Sequence, residues 1–285
     1  SGNMSVKRKF YSVMTKTLMA VSAALIIAAF IGIAGYILYR GVAHISWEFL
    51  STKPSLLKGT NGILPNILNT VYIVIMTLLV VLPLGVGSAI YLNEYAKNKK
   101  AVGMIELATE TLAGIPSIIY GLVGMLIFCR VFLLRTSLVS GAMTLVIMTL
   151  PTVIRTTQES LKTVPDSYRE GALALGSGKW HMIRTVVLPS SMDGIVTGCI
   201  LSVGRVVGES AALLFTAGRA NEVIKIWQAP LPKHAGSTLT VALYMYAKER
   251  GEFDTAFAIA VILILLTLLL NIAAKLAAKK MRKER

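Results

Sequence analysis

Two charged residues interrupt a run that is otherwise apolar and built of small side chains. Arg205 and Glu209 lie in TGCILSVGRVVGESAALLFTAG, residues 197–218. Four apart, they share one face of a continuous helix and stand within reach of each other. A cation in a run long enough to cross a bilayer must face protein or water rather than lipid. Two chemistries fit. One is a structural ion pair that locks helix packing. The other is an anion path, in which the guanidinium fork of Arg205 contacts an oxyanion. Glu209 then holds the arginine between turnovers and spares it the cost of an unpaired buried charge. Gly204 and Gly208, with Gly194 and Gly198 before them, keep the helix slim so that a neighbour can approach.

The remaining polar residues suggest no catalysis. The sequence has no GxxxxGK[ST] run to cradle a nucleotide, so the chain is not expected to hydrolyse ATP by itself. Three scattered histidines offer no zinc cluster, and Cys129 and Cys199 suggest neither a disulfide framework nor a metal site. No cofactor is expected. Glu106, Glu110 and Asp193 sit near the starts of helical runs, where acids suit the helix dipole, and read as structural. Glu110, the deeper of the first two, keeps a proton path open as the alternative.

The elements that must position Arg205 and Glu209 are membrane helices. Hydrophobic residues make up 55% of the 285, charged residues 15%, and mean hydropathy is +0.68. Soluble domains carry about 25% charge. Apolar stretches of 20 or more residues make this an all-α polytopic membrane protein. The pattern predicts six transmembrane helices, at about 17–39, 66–92, 104–129, 136–156, 190–217 and 254–275. The second contains Pro83, and the third runs on past Pro116. Residues 1–65 form a tail, the first helix and an external loop, residues 66–275 a core of five helices, and residues 276–285 a basic tail. Ser1-Gly2-Asn3 reads as a cloning remnant. The first apolar run is too long for a signal-peptide core and lacks a small-x-small cleavage pattern.

Charge sets the expected orientation. The net charge is +15, but the basic residues cluster at the ends of apolar runs, so nucleic acid is not the partner. With six spans, eighteen Lys and Arg fall on the side holding both termini and ten on the other. That places both termini in the cytoplasm. On the outside, residues 44–50 and 237–249 look like short helices lying on the membrane face, with Trp47 as an interface anchor and Ser237 as an N-cap. His44 and His234 read as ordinary surface histidines.

Residues 157–189, TQESLKTVPDSYREGALALGSGKWHMIRTVVLP, form the long cytoplasmic segment. Pro165 fits the first position of a helix that stops at Gly176. A second short helix, capped by Ser177, runs through Trp180, Ile183 and Val187 until Pro189 breaks the path. Two short helices at an angle make a knob whose small residues, Gly171, Ala172 and Ala174, let another protein's backbone come close.

This segment resembles the EAA motif of ABC-importer permeases. Glu170-Gly171-Ala172, then Gly176, then Val186, Leu188 and Pro189 follow the pattern Glu-Ala-Ala, three residues, Gly, nine residues, Ile-x-Leu-Pro. Gly171 replaces the second-position Ala and Val186 the usual Ile. Further runs are similar to the phosphate-specific permease family, the PstA-like subunit more than its PstC-like partner. They are GILPNI at 62–67, PLGVG at 83–87, AIYLNEY at 89–95, GIPSIIYG at 114–121 and GRVVGESA at 204–211, the last with Ser210 in place of threonine.

The resemblance implies a type I importer permease fold (MetI-like) and ATP-driven import of inorganic phosphate. Its partners would be a PstC-like permease, two PstB-like ATPase subunits and an extracellular PstS-like phosphate-binding protein. Residues 157–189 would be the coupling segment that docks on the ATPase. Another oxyanion, molybdate or sulfate, and a non-transporting membrane scaffold or sensor are the competing readings.

Overall fold

The computed structural model describes residues 6–55 and 60–283. The Ser1-Gly2-Asn3 reading and Lys58, one of the ten external cations, lie outside the described residues.

The first helix, α1 (Val6–Val42), is longer than its apolar centre and takes in the basic head. Ser46 caps α2 (Trp47–Ser51) by accepting from the Phe49 amide. A two-residue ladder then pairs β1 (Pro54–Ser55) with β2 (Thr60–Asn61). Helix α3 (Leu64–Ile90) carries Pro65 in its first turn, where a missing N–H is tolerated. It passes through Pro83 and ends in a π-helical turn, Tyr91–Tyr95.

The third predicted span is not one helix. Asn98 caps α4 (Lys99–Ala113), and α5 (Ser117–Gly124) follows with a π-helical extension, Met125–Val131. The two halves meet at 98°. Proline lacks the donor that would continue the ladder and pushes its predecessor out of the helical region, so the path breaks at Gly114-Ile115-Pro116.

Helix α6 (Leu138–Lys162) is capped by Ser137. The cytoplasmic knob is α7 (Asp166–Ala174) and α8 (Lys179–Met182), which continues through a π-helical turn, Ile183–Val187, into α9 (Leu188–Ser190). Pro189 does not break this path, because it falls in the first turn of α9. The bend, of 66°, comes after Ser190. Pro165 stands one place before its expected position, and Gly178 rather than Ser177 precedes α8, with no side-chain cap.

The fifth predicted span is also divided. Helix α10 (Met192–Gly208) stops, Glu209 is extended with ψ 124°, and α11 (Ala211–Thr216) starts anew. Helix α12 (Leu239–Tyr244), with a π-helical extension Met245–Glu249, precedes the last helix, α13 (Phe253–Lys283). Thr238, not Ser237, caps α12. This segment does not lie on the membrane face. Leu239 and Val241 are fully buried, packed among α3, α10 and α13 residues.

Four helices among the described residues are long and apolar enough to cross a bilayer, and the number reaches six if each of the two bent pairs is one span. Helices α3, α5, α6, α10 and α11 meet in the main core, around Ile73, Tyr120, Leu145, Met148, Val203, Val206 and Leu213. Helix α1 stands largely outside it and meets chiefly α13. There Tyr36 packs edge-on against Phe257, and Arg40 pairs with Asp254 at 3.1 Å.

Candidate functional site

A stripe of hydroxyls on α6 sets the position of α10. Thr152, Thr156 and Ser160 recur every four residues and so share one helix face. The Ser160 hydroxyl donates to the Ser191 carbonyl at 2.7 Å. A Cβ added at Gly194 would collide with Ser160, and one at Gly198 with Thr156. At these two glycines α10 approaches α6 closely. One step further along the stripe, Arg205 Nη1 donates to Thr152 Oγ1 at 3.3 Å.

Gly204 and Gly208 behave differently. A Cβ at either meets nothing within 4 Å, so neither seats a helix of this chain. If they serve packing, the helix they admit is not among the described residues of this chain.

Arg205 and Glu209 are not an ion pair. The continuous helix that would have stacked them ends between them at Gly208. Instead, each charge occupies the helix end that suits its sign. Arg205 lies in the last turn of α10, where carbonyl ends favour a cation. The Glu209 carboxylate accepts from the Ala212 amide at 3.0 Å, at the start of α11, where free N–H groups favour an anion. The Glu209 carbonyl accepts from the Thr240 hydroxyl at 2.8 Å, which ties the break to α12.

The other helix break lies alongside. Across it, the Tyr120 hydroxyl donates to the Leu112 carbonyl at 2.7 Å, satisfying the end of α4. A Cβ at Gly121 would stand 2.8 Å from Ala212 Cα, so α5 and α11 meet backbone to backbone. Tyr120 shares an apolar cluster with Val206 and Val207, which follow Arg205 in α10. The half-buried guanidinium thus stands at the junction of two interrupted helices, bonded to the Thr152 hydroxyl and with open space beside it at Gly204 and Gly208. Interrupted helices of this kind are tolerated in membranes where they line a cavity or are covered by protein.

Of the acids read as structural, Glu106 bridges Lys162 at 3.1 Å and Glu110 bridges Arg155 at 3.2 Å. They fasten the outlying α4 to α6 rather than capping a helix start.

The cytoplasmic site divides in two. Glu170, Gly171 and Gly176 are exposed on one turn, with Ala172 half-buried beside them. Gly176 has φ +82°, which a glycine adopts without strain. Its amide donates to Leu173 O at 2.9 Å and the Ser177 amide to Ala172 O at 3.1 Å, closing α7 with a Schellman turn. Nothing lies within 4 Å of a Cβ at Gly171, Gly176 or Gly178. Leu175 beside them is 91% exposed, with Tyr168, Leu173 and Trp180 also exposed, an apolar surface that a partner could cover. Leu188 and Pro189 do not join this surface. Leu188 packs inward against the apolar cluster under the knob, while Pro189 lines an open cleft of about 810 Å³ with Tyr168, His181 and Arg184.

Residues 81–283 match the model of the binding-protein-dependent transport system inner membrane component. The chain belongs to this family. It is a multi-pass inner-membrane subunit of an ABC importer, and ATP hydrolysis belongs to separate subunits. Its relatives include the probable ABC transporter permease YqgI of Bacillus subtilis, 38% identical over 213 residues, covering 75% of this chain and 72% of that protein. The phosphate transport system permease PstA of Yersinia pestis is 36% identical over 201 residues, 70% of this chain and 66% of that one. PstA 2 of Mycobacterium bovis is 38% identical over 183 residues, 64% and 60% respectively. Among solved structures, a bacterial transporter involved in alginate import superposes with TM-score 0.67 at 14% identity, over 96% of this chain and 99% of that chain. An inward-facing MetNI methionine transporter gives TM-score 0.57 at 19% identity, over 77% and 94%. These likenesses establish the type I, MetI-like fold.

Three groups of residues had escaped the sequence reading. The hydroxyl stripe on α6 was legible as an i, i+4 repeat within an apolar run. Tyr120 gave no signal beyond its place in the GIPSIIYG run. Glu94 and Arg169 are buried together under the knob, although 74 residues separate them. Only the neighbouring motifs mark them.

Proposed function

We propose that this chain passes inorganic phosphate through an ATP-driven importer, with Arg205 lining the path. The observation that carries this reading is the half-buried guanidinium at the junction of two interrupted helices. It bonds the Thr152 hydroxyl rather than a carboxylate, so its charge is left to attract an anion. Its planar fork suits an oxyanion with adjacent acceptor oxygens. Glu209 acts beside the path by holding the start of α11, where it keeps the helix break in place. The similarity to several phosphate permeases supports phosphate over other oxyanions.

In this reading residues 165–176 dock on the ATPase, and Glu170, Gly171, Ala172 and Gly176 form the contact. Leu188 holds the inner side of the same segment, and Pro189 borders the open cleft beside it. The complex contains a PstC-like second permease, two PstB-like ATPase subunits and an extracellular PstS-like binding protein. Both termini are cytoplasmic in this reading, which the charge bias supports.

The test is a reconstitution of that complex in proteoliposomes. Uptake and ATP hydrolysis are measured with phosphate, molybdate or sulfate offered to the binding protein. Phosphate alone should drive both. Turnover with molybdate or sulfate and none with phosphate would move the assignment to another oxyanion. No uptake of any of the three by an assembled, ATP-hydrolysing complex would leave the scaffold reading standing.

A further inference from the structure

Beneath the exposed knob lies a charge cluster that docking does not use. The Arg169 side chain is 15% exposed and that of Glu94 6%, in a segment whose other charges face solvent. Arg169 turns away from the surface that carries its neighbours Glu170 and Gly171. Its Nε and Nη2 both donate to Glu94 Oε1, at 3.2 and 3.0 Å. Nη2 also donates to Leu161 O at 2.9 Å, and Nη1 to Val164 O at 2.7 Å and Asp166 Oδ1 at 3.0 Å. One guanidinium therefore joins the end of α6, the start of α7 and the π-helical end of α3.

Glu94 is held from other directions as well. Asn93 Nδ2 donates to its carboxylate at 2.8 Å. Lys179 of α8 donates to its backbone carbonyl and places its ammonium 4.9 Å from the Tyr95 ring centre. Both short helices of the knob grip the same residue at the end of α3. An apolar cluster lies alongside, with Ala89, Ile90 and Leu92 of the α3 end against Met182, Ile183 and Val187. Apolar burial is non-directional and allows packed helices to slide. A guanidinium fork fixed on one carboxylate does not.

Helix α3 then runs from this cluster to the main core, where Ile73 and Val74 pack with Val203, Val206 and Val207, the residues around Arg205. We propose that the Glu94–Arg169 pair is the positioning element that makes the knob and α3 move as one body, so that displacement at the ATPase surface reaches the helices around Arg205. This rests on the reading that residues 165–176 dock on the ATPase.

Breaking a buried pair from one side strands the other charge, so two variants are compared, Arg169→Gln and the isosteric Glu94→Gln. In the full complex, in proteoliposomes, three quantities are read. They are recovery of ATPase subunits with the permease, ATP hydrolysed per phosphate imported, and stimulation of hydrolysis by loaded binding protein. Both variants should assemble. The ATP-to-phosphate ratio should rise about tenfold, equivalent to about 1.4 kcal/mol of lost coupling, and stimulation should fall. Arg169→Lys should restore part of the ratio.

A mechanical tie should also be replaceable. With Cys129 and Cys199 changed to alanine, a reversible thiol cross-linker between Glu94→Cys and Arg169→Cys should recover coupling until reductant is added. A normal ratio in both glutamine variants overturns the proposal. So does loss of assembly in both, which would make the pair a folding element. Gly171→Arg in the same assay tests docking separately. If it assembles and turns over normally, the docking reading fails whatever the pair does.

Discussion

Replacing Arg205 by alanine separates a transport residue from a packing device, because the structure predicts opposite effects on assembly and uptake. Arg205 has no acid partner, so its removal strands no buried carboxylate. Glu209 keeps its bond to the Ala212 amide. The loss within the fold is the bond to Thr152, worth about 1.5–3 kcal/mol for a charged donor. Against it stands the cost of an arginine in a membrane segment, about 2.5–3.5 kcal/mol on insertion scales. The two nearly cancel, and assembly should be within about 1 kcal/mol of wild type.

Uptake should respond otherwise. Two charge-assisted bonds to an oxyanion, at about 1.5–3 kcal/mol each, amount to a factor of about 10²–10⁴. Arg205 is only half-buried, so screening favours the lower end, about 100-fold. Arg205→Lys keeps the charge without the fork and should fall between, about tenfold down. The assay is initial-rate phosphate uptake into proteoliposomes, with complex recovery by size exclusion. Uptake by Arg205→Ala within about threefold of wild type, a difference under 1 kcal/mol, would refute a path through this residue. Wholesale loss of the complex would refute the cancellation.

Three further outcomes follow from the same geometry. Glu209→Ala should lower thermal stability by about 0.5–2 kcal/mol as a lost N-terminal cap, while Glu209→Gln keeps an acceptor for Ala212 and should retain most of it; equal melting of the two would sink the capping role. Gly194→Ala should disturb α10 against Ser160 and lower the melting temperature, whereas Gly204→Ala meets open space and should leave the isolated chain unchanged; the reverse order in a detergent melt would contradict the α6–α10 contact. Cysteines at Lys53 and Lys233 should react with an impermeant thiol reagent from outside and one at Lys99 should not; outside labelling at position 99 would overturn the orientation.

Hydropathy settled what local chemistry controls. Apolar runs over 20 residues long need a bilayer, and that necessity alone gave an all-α membrane class. The Gly176 stop was equally legible, since a positive φ is a one-residue requirement. The spacing of Glu170, Gly176 and Pro189 carried the family. Contacts between distant segments were not legible. Arg205 and Glu209 had the right spacing for a pair, but spacing counts only within a continuous helix, and the helix ends at Gly208. Helix propensity gave no warning, because the interruption is held from outside, by Thr240 on the Glu209 carbonyl and by α5 closing on Ala212. Likewise Gly194 and Gly204 look alike in sequence, yet one faces Ser160 and the other open space. The burial of α12 and the Glu94–Arg169 pair were decided in the same way, by which surfaces the fold brings together. A residue's type fixes the bonds it can make, and only the tertiary arrangement decides which partner is in reach.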